Sequence, residues 1–207
     1  ITLALPPNDR YHALVADRLP DRDGVPPAPR GAPDWTDAAV TASVLRQLIL
    51  GLGVHDLPLL RDLAPAPAEV VYARPLPPIG YCVGLRAGGV LVRLTAVMVP
   101  GGADALWRVS IGTGRDQVDV SFPPAFVHAG SAEVEVRDAG GRSVGYPRDD
   151  EDGYLAEWIA LADLLRPGAS VEYGEILADA EYAVALADRV AAAVGWPGPE
   201  VSGTVRR

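Results

Sequence analysis

Apolar and polar residues alternate along the middle of the chain in a pattern that predicts a β-sheet. Between residues 69 and 138, apolar runs bounded by Gly, Pro or Asp have the two-residue period of strands. Val90, Val92 and Leu94 share one face of such a run, and Val134 and Val136 alternate with charged residues in another. Because the connections are short, we expect an antiparallel sheet with one packed face and one open face. The predicted strands are EVVYAR, GYCVGLRA, GVLVRLTAVMV, ALWRVSIGT, DQVDVSF and AEVEVRD.

Helical periods lie on both sides of the strand region. Asp34 or Thr36 is expected to cap a helix that continues to about residue 50. Pro58 can open a second, short helix through Leu63, because proline is tolerated in a first turn. The predicted buried residues of the first helix are Val40, Val44 and Leu48. Those of the last helix are Ile176, Ala180, Ala183, Val184, Ala187, Val190 and Ala191.

The whole pattern predicts an α+β fold, in which helices pack on one face of an open-faced, mostly antiparallel β-sheet. Residues 1–5 form an apolar run that predicts a strand, and NDRYHALVADRL predicts a short helix capped by Asn8 or Asp9. Residues 21–34 are rich in proline and predict a loop. Residues 35–207 are expected to form the α+β domain.

Composition and charge narrow the classes of partner. The formal charge of −9 argues against nucleic acid, because acidic surfaces repel phosphate. Every basic residue is arginine, so no lysine can act as acid, base or Schiff-base amine. No continuous apolar run reaches about 18 residues, so we expect no membrane span. Cys82 is the only cysteine and is expected to be buried and inert, which fits a cytoplasmic protein.

His55 is the main candidate for chemistry. It lies in the stretch GLGVHDLPLLRDL, where Gly51 and Gly53 predict irregular backbone. A histidine that transfers protons needs access to a substrate and usually an orienting partner. Asp56 is adjacent and would not face the imidazole, and Asp62 lies two helical turns away. The residues therefore leave two interpretations open, an acid–base group or a buried structural histidine.

The other motifs favour structural interpretations. The acidic run at residues 149–152 suits the first turn of a helix, whose dipole favours negative charge there, better than a metal site. His12 and His128 share no metal-ligand spacing with it, so no metal is expected. GTGRD joins two predicted strands and indicates a hairpin turn rather than a phosphate loop.

The segments LILGLGVHDLPLLRDL, WRVSIGTGRDQVDVSF and GYLAEWIALADLLRPG follow one another in a characteristic order. They resemble, in turn, the D-x-G-x-H-D helix, the W-x-v-x-G-t-x-G-x-l hairpin and the F-x-x-E-l-x-x-F segment of the Gfo/Idh/MocA oxidoreductase family, all in its carboxyl-terminal domain. NDRYHALV is similar to the segment that follows the last strand of that family's nucleotide-binding domain.

The resemblance implies a sheet domain that supplies substrate contacts and an oligomer interface, beside a Rossmann domain that binds NAD or NADP. It implies that His55 is the catalytic proton-transfer residue, and that residues 1–20 are the last Rossmann strand and its connecting helix. The rest of that domain would precede Ile1 or lie on another chain. The chain departs from the family in three respects: it has no glycine-rich dinucleotide fingerprint, no E-K-P lysine, and Gly51 and Pro58 where acids are expected.

Three functions remain open at this point. The first is the substrate-binding and oligomerisation part of an NAD(P)-dependent oxidoreductase acting on a sugar, cyclitol or similar hydroxyl or carbonyl compound. The second is a non-catalytic or heteromeric partner subunit of an oxidoreductase. The third is a nicotinamide-independent cyclase, isomerase or lyase that uses His55. We expect a homo-oligomer, most simply a dimer, through the apolar open face of the sheet, or a Rossmann-bearing partner chain.

Overall fold

A computed structural model describes residues 1–5, 33–64, 68–98, 106–123, 129–150 and 153–195. The chain divides into two compact units. We call residues 32–95 with 177–207 the three-strand unit, and residues 1–31 with 96–176 the five-strand unit. Antiparallel strands and helices together confirm the predicted α+β class. The predicted division into residues 1–20, 21–34 and 35–207 stays a prediction, since residues 6–32 lie outside the described ranges.

The described elements follow the predicted order of strand, helices, sheet and helices. In chain order they are β1 (Thr2–Leu5), α1 (Ala38–Gly51), a 3-10 turn (Gly53–His55), α2 (Leu57–Leu63), β2 (Glu69–Pro75), β3 (Ile79–Ala87), β4 (Val90–Met98), β5 (Leu106–Gly112), β6 (Asp116–Ser121), β7 (Glu133–Asp138), β8 (Ser143–Tyr146), α3 (Gly153–Leu164) and α4 (Tyr173–Ala192). The predicted helix after Asn8 lies outside the described residues.

A capping aspartate begins α1. The carboxylate of Asp37 accepts hydrogen bonds from the N–H groups of Ala39 and Val40 at 2.8 and 3.1 Å, and so satisfies amides that have no partner in the first turn. The predicted cap, Asp34 or Thr36, is wrong by a few positions. The Asp34 carboxylate instead accepts from the N–H and hydroxyl of Thr36, at 3.0 and 2.6 Å, and forms a turn in front of the helix.

The inner face of α1 packs toward β3. Its buried residues are Thr41, Leu45 and Ile49, one position after the predicted stripe of Val40, Val44 and Leu48, which is half-buried. Both stripes have the same four-residue spacing, so the period alone could not show which one faces inward. Opposite them, Val83 and Leu85 of β3 are almost completely buried. This contact forms the centre of the core of the three-strand unit.

Two ion pairs fasten α4 to the other helices of this unit. The Nε of Arg46 in α1 lies 2.6 Å from Asp188 Oδ1, and the Nε of Arg61 in α2 lies 2.6 Å from Asp179 Oδ1. The buried residues of α4 are Ala183, Leu186, Ala187 and Val190. The predicted stripe is therefore correct near the centre of α4 and wrong at Ile176, Ala180 and Val184, which are exposed.

The strands of the three-strand unit lie in the order β2-β3-β4. β2 and β3 are antiparallel, with Tyr72 directly opposite Gly84. A Cβ built on Gly84 would lie only 2.2 Å from Cε1 of Tyr72, so the ring occupies the space beside the glycine. Gly88 and Gly89 connect β3 to β4 with φ of 53° and 87°, as a two-residue hairpin turn of type I′ requires.

The five-strand unit has the strand order β1-β5-β6-β7-β8, and each strand is antiparallel to its neighbours. The register separates its side chains into two faces. One row of directly opposed residues, on what we call the apolar face, is Ile111, Val118, Val136 and Val144. The neighbouring row, on what we call the polar face, is Ser110, Asp119, Glu135 and Gly145.

The two edge strands of this sheet, β8 and β1, compare differently with the sequence prediction. β8 was not predicted, because it is only four residues long and follows a glycine-rich turn with little alternation. The strand predicted at residues 1–5 is confirmed as β1, and it pairs antiparallel with β5, with Leu3 opposite Trp107. Its assignment to the last strand of a Rossmann domain stays a prediction.

α3 is apolar in composition but buries none of its residues within the described structure. Trp158 is 71% exposed and Leu155 is 49% exposed. The described first turn of α3 contains no acidic residue. Residues 151 and 152 of the acidic run lie outside the described residues, so the helix-dipole interpretation of that run stays a prediction.

The stretch Ala38–His55, which contains α1, is long and apolar enough to cross a membrane by length and composition alone. Polar residues interrupt its apolar run, so the sequence pattern did not predict it as a span. Its inner residues Leu45 and Ile49 are completely buried in the protein. Core helices of soluble proteins pass the same test, so the stretch does not indicate a membrane span.

We expect Gly84→Ala to destabilise the protein, because its new methyl group would overlap the ring of Tyr72. Overpacking of this kind costs about 1–3 kcal/mol of unfolding free energy, which urea denaturation measures. Gly112→Ala is the matched control, since a Cβ there would meet no atom within 4 Å. Equal unfolding free energies for the two variants would contradict this packing.

Candidate functional site

His55 ends the 3-10 turn that connects α1 to α2, so the predicted irregular backbone is confirmed. The N–H of Asp56 donates to the carbonyl oxygen of Gly53 at 2.8 Å and closes the turn. Gly53, Asp56 and Leu57 are buried, whereas His55 is exposed. The backbone is thus anchored on both sides of a side chain that faces solvent. The interpretation of His55 as a buried structural histidine is wrong.

Tyr81 of β3 lies beneath this turn. It is only 2% exposed, and its hydroxyl oxygen is 3.0 Å from the position that a Cβ on Gly53 would occupy. Such a distance is tighter than ordinary carbon–oxygen contact, so a larger residue would displace the turn or the phenol. The close approach favours glycine at residue 53, because a side chain there would force the turn or the phenol to move by a few tenths of an ångström.

Asp56 is a buried carboxylate, with an exposed fraction of 6%. It occupies the position in front of α2 where a side chain often caps the helix, but it makes no such capping bond. Its charge acts instead on Tyr81. Burial, and then the negative charge of Asp56, raise the pKa of Tyr81 far above the ordinary value for a phenol. The turn that carries His55 thus lies beside a buried carboxylate and a buried phenol.

The exposed imidazole of His55 can exchange a proton with a bound molecule. Among the described residues, the imidazole of His55 makes no hydrogen bond. Gly51 has no side chain that could orient it, and Asp62 is exposed on α2 and does not bond to it. Asp56 is buried while His55 is exposed, so the two neighbouring side chains lie in different environments. The orienting partner of His55 would have to come from a ligand or from residues outside the described ranges.

The remaining candidates from the sequence do not join this site. His12 and His128 lie outside the described residues. No group of three potential metal ligands occurs within the described residues. Cys82 is half-buried rather than fully buried as predicted, and its sulfur accepts from the hydroxyl of Thr95 at 3.5 Å. GTGRD forms the predicted hairpin turn, in which the N–H of Thr113 donates to the carbonyl of Asp116.

The polar face of the five-strand unit is a second surface, which the sequence pattern did not predict as a site. It encloses a shallow volume of about 460 Å³ lined by polar and charged side chains. Two of its carboxylates have hydrogen-bond partners: Ser110 donates to Asp119 and Ser143 to Glu135, each at 2.5 Å. The bond from Ser143 and the nearby Arg137 lower the pKa of Glu135. Such internal pairing is typical of a solvated sheet face, and we assign it no ligand.

The described residues do not fit a dinucleotide cofactor. Pyrophosphate is usually held where a glycine-rich turn leads from a strand into a helix, whose N-terminal amides point at the phosphates. α1 instead begins after a turn without glycine, and its first N–H groups already donate to the carboxylate of Asp37. α3 follows the acidic residues Asp149 and Asp150, which repel phosphate.

Comparison with known proteins gives structural matches without sequence matches. No family model matches the chain, and no curated protein matches it. An oxidoreductase from Bacillus cereus matches with 14% identity and a TM-score of 0.45, over 96% of this chain and 66% of that one. A mutant of KijD10, a 3-ketoreductase from Actinomadura kijaniata in complex with TDP-benzene and NADP, matches with 17% identity and a TM-score of 0.42, over 92% and 49%. This chain spans about half to two thirds of their length.

The buried phenol of Tyr81 predicts a loss of stability at alkaline pH. Its pKa is higher in the folded than in the unfolded chain, where a phenol titrates near about pH 10. The stabilising contribution is therefore complete below about pH 10 and is lost as the pH rises above it. Relative to Tyr81→Phe, we expect the wild type to lose up to about 1.4 kcal/mol of unfolding free energy per pH unit there.

Urea unfolding at a series of alkaline pH values measures this difference. Tyr173→Phe is the control, because Tyr173 is 74% exposed and its removal should leave the alkaline slope of the wild type unchanged. The same alkaline slope for the wild type and for Tyr81→Phe would show that Tyr81 is not held as described.

Proposed function

We propose that this chain is the substrate-binding and oligomerisation part of an NAD(P)-dependent oxidoreductase of the Gfo/Idh/MocA type. Its substrate would be a sugar, cyclitol or similar hydroxyl or carbonyl compound. His55 would accept the hydroxyl proton when the substrate is oxidised, or return it when a carbonyl is reduced. The motif order around His55, the central hairpin and the late helices supports this proposal.

The observation that carries the proposal is the position of His55. Its imidazole is exposed while the flanking residues Gly53 and Asp56 are buried, so the ring is presented outward from a fixed backbone. A histidine with a structural role would normally have its ring nitrogens bonded inside the protein. An exposed ring on an anchored turn suits a group that must meet a mobile substrate and change its protonation state.

The nicotinamide cofactor would be held outside the described residues, because these do not form a dinucleotide site. When bound, that cofactor would supply the hydride acceptor or donor. The role of this chain in the reaction is then limited to three tasks that its own residues can perform. It binds the substrate, orients the reacting hydroxyl group toward His55 and moves one proton there.

A substrate screen tests the role of His55. The ring signals of His55, assigned by comparison with His55→Gln, are followed by NMR while sugars, cyclitols and their keto forms are added to the protein. We expect at least one compound class to shift these signals saturably. In the assembly with its dinucleotide-binding part, His55→Ala should lower kcat by about 10²- to 10⁴-fold, the usual contribution of a general acid–base group.

Asp62→Asn provides the control, because Asp62 is an exposed group on α2 outside the turn. It should leave both the ligand-induced shifts and kcat unchanged. The proposal fails if no compound class moves the His55 signals, or if His55→Ala retains full activity in the assembly.

One observation favours a second candidate, a non-catalytic partner subunit. His55 has no hydrogen-bonding partner among the described residues, and the open space beside Gly51 holds no carboxylate to orient it. A subunit without chemistry would tolerate this arrangement. The two candidates differ in the screen, since the partner subunit predicts association with a related chain but no saturable shift of the His55 signals.

We also propose that the chain forms a homodimer through the apolar face of the five-strand unit. Val144 and Tyr146 on this face are 39% and 57% exposed, and Val118 and Val136 are half-buried. Contiguous exposed apolar surface is typical of contact sites between proteins. The polar face, on the opposite side of the sheet, carries charged groups and would remain in solvent.

Val144→Lys should therefore shift the protein toward the monomer, because it places a charge in the apolar face. Gly145→Lys is the matched control, since residue 145 follows directly in β8 and lies on the polar face. Sedimentation velocity over a range of concentrations gives the oligomeric state. A monomeric wild type, or equal dissociation in both variants, would rule out this interface.

A further inference from the structure

A cleft of about 310 Å³ lies in the three-strand unit between α2 and α4. Ala178, Ala185 and Leu186 of α4 give it an apolar wall, while Tyr182 and Arg189 contribute polar groups. His55 is not among the residues that line it. The cleft is therefore a separate feature from the candidate proton-transfer site.

Tyr182 lines this cleft, and its hydroxyl group lacks a hydrogen-bond partner. Its oxygen is buried and has no hydrogen-bond partner among the described residues. Burial raises the pKa of Tyr182, while the nearby positive charge of Arg189 acts in the opposite direction. The phenol thus keeps its proton and is a hydrogen-bond donor at neutral pH. Buried hydroxyl groups without partners are rare in folded proteins, and a ligand that accepts this bond would be favoured.

Two arginines add further donors to the cleft. The Nη1 of Arg189 donates to the carbonyl oxygen of Ala68 at 2.9 Å, which fixes the guanidinium while its other N–H groups are not used in that bond. The Nε of Arg61 donates to Asp179 at 2.6 Å, so the charge of that carboxylate is already compensated. Glu181 also lines the cleft but is exposed to solvent, where its charge is screened.

We propose that this cleft binds a small carboxylic acid with a hydrocarbon chain. Arg189 and Tyr182 would donate to the carboxylate oxygens, because guanidinium and phenol groups here offer donors and a carboxylate offers only acceptors. The hydrocarbon part would lie on Ala178, Ala185 and Leu186. The proposal does not depend on a catalytic role for His55.

Hexanoate is the probe, titrated into the whole chain by calorimetry, with butanoate and hexanamide for comparison. We expect saturable binding of one hexanoate per chain. Because each buried methylene adds about 0.8 kcal/mol, hexanoate should bind on the order of tenfold more tightly than butanoate. Hexanamide has the same length without the charge, and it should bind at least about tenfold more weakly, as expected when a charge-assisted hydrogen bond is lost.

Three variants separate the donors from general effects of charge. Arg189→Gln and Tyr182→Phe should each weaken hexanoate binding by about tenfold or more, the loss expected for one hydrogen bond to a charged group. Arg142→Gln makes the same charge change in the turn before β8 and should leave the affinity unchanged. His55→Ala should also bind as the wild type does, even if the proposed oxidoreductase function fails.

The proposal is overturned if hexanoate shows no saturable binding, if hexanamide binds equally well, or if either Tyr182→Phe or a folded Arg189→Gln retains the wild-type affinity. Tyr182→Phe removes one oxygen atom and keeps the ring, so it gives a decisive result even if Arg189→Gln fails to fold.

Discussion

The contact between α1 and β3 is the constraint on which the candidate site depends. Leu45 and Ile49 of α1 are completely buried, as is Val83 of β3, and burial of each such side chain contributes roughly 1.5–3 kcal/mol. Tyr81 comes two residues before Val83, and therefore has the same facing in the strand. The strand that forms the core thus also delivers a phenol to the underside of the His55 turn. Through Gly53, the position of this turn is coupled to the packing of the core.

The polar groups of the three-strand unit serve mainly to position helices. A chain without lysine must make its ion pairs with guanidinium groups, which are planar and offer several N–H donors at once. Arg46 and Arg61 each bond one carboxylate of α4. The exposed pair of Arg46 and Asp188 contributes little to stability, typically about 0–1 kcal/mol for a surface pair. These ion pairs mainly fix the positions of the helices. The bond from Arg61 to α4 sets the distance between α2 and α4, and the cleft lies between these two helices.

The sequence predicts the strands better than it predicts which residues of a helix face inward. All six strands expected from alternation are present, because a period of two assigns both existence and facing. For α1, the stripes beginning at Val40 and at Thr41 have equal spacing, and only contact with β3 selects the second. β8 escaped prediction because four residues are too few to show a period. The cap of α1 was misplaced because Asp34, Thr36 and Asp37 are all good capping residues, and only backbone geometry distinguishes them.

Sequence patterns also predict only part of the two candidate sites. His55 could be selected from the sequence because histidine is rare in this chain and its glycine neighbours are unusual. Tyr81 and Tyr182 could not, since each reads as an ordinary aromatic residue of a strand or helix, and its role depends on which atoms tertiary packing places around its hydroxyl group.

The two sites also differ in how far they are prepared for a ligand. At the His55 turn the protein fixes the backbone and leaves the imidazole without a partner among the described residues, so a ligand must orient the ring and bear that entropic cost. In the cleft, the bond from Arg189 to Ala68 and the burial of Tyr182 hold donors in place beforehand. Preorganised donors favour binding, whereas a ring that can change partners favours proton exchange. The geometry of each site therefore suits a different task.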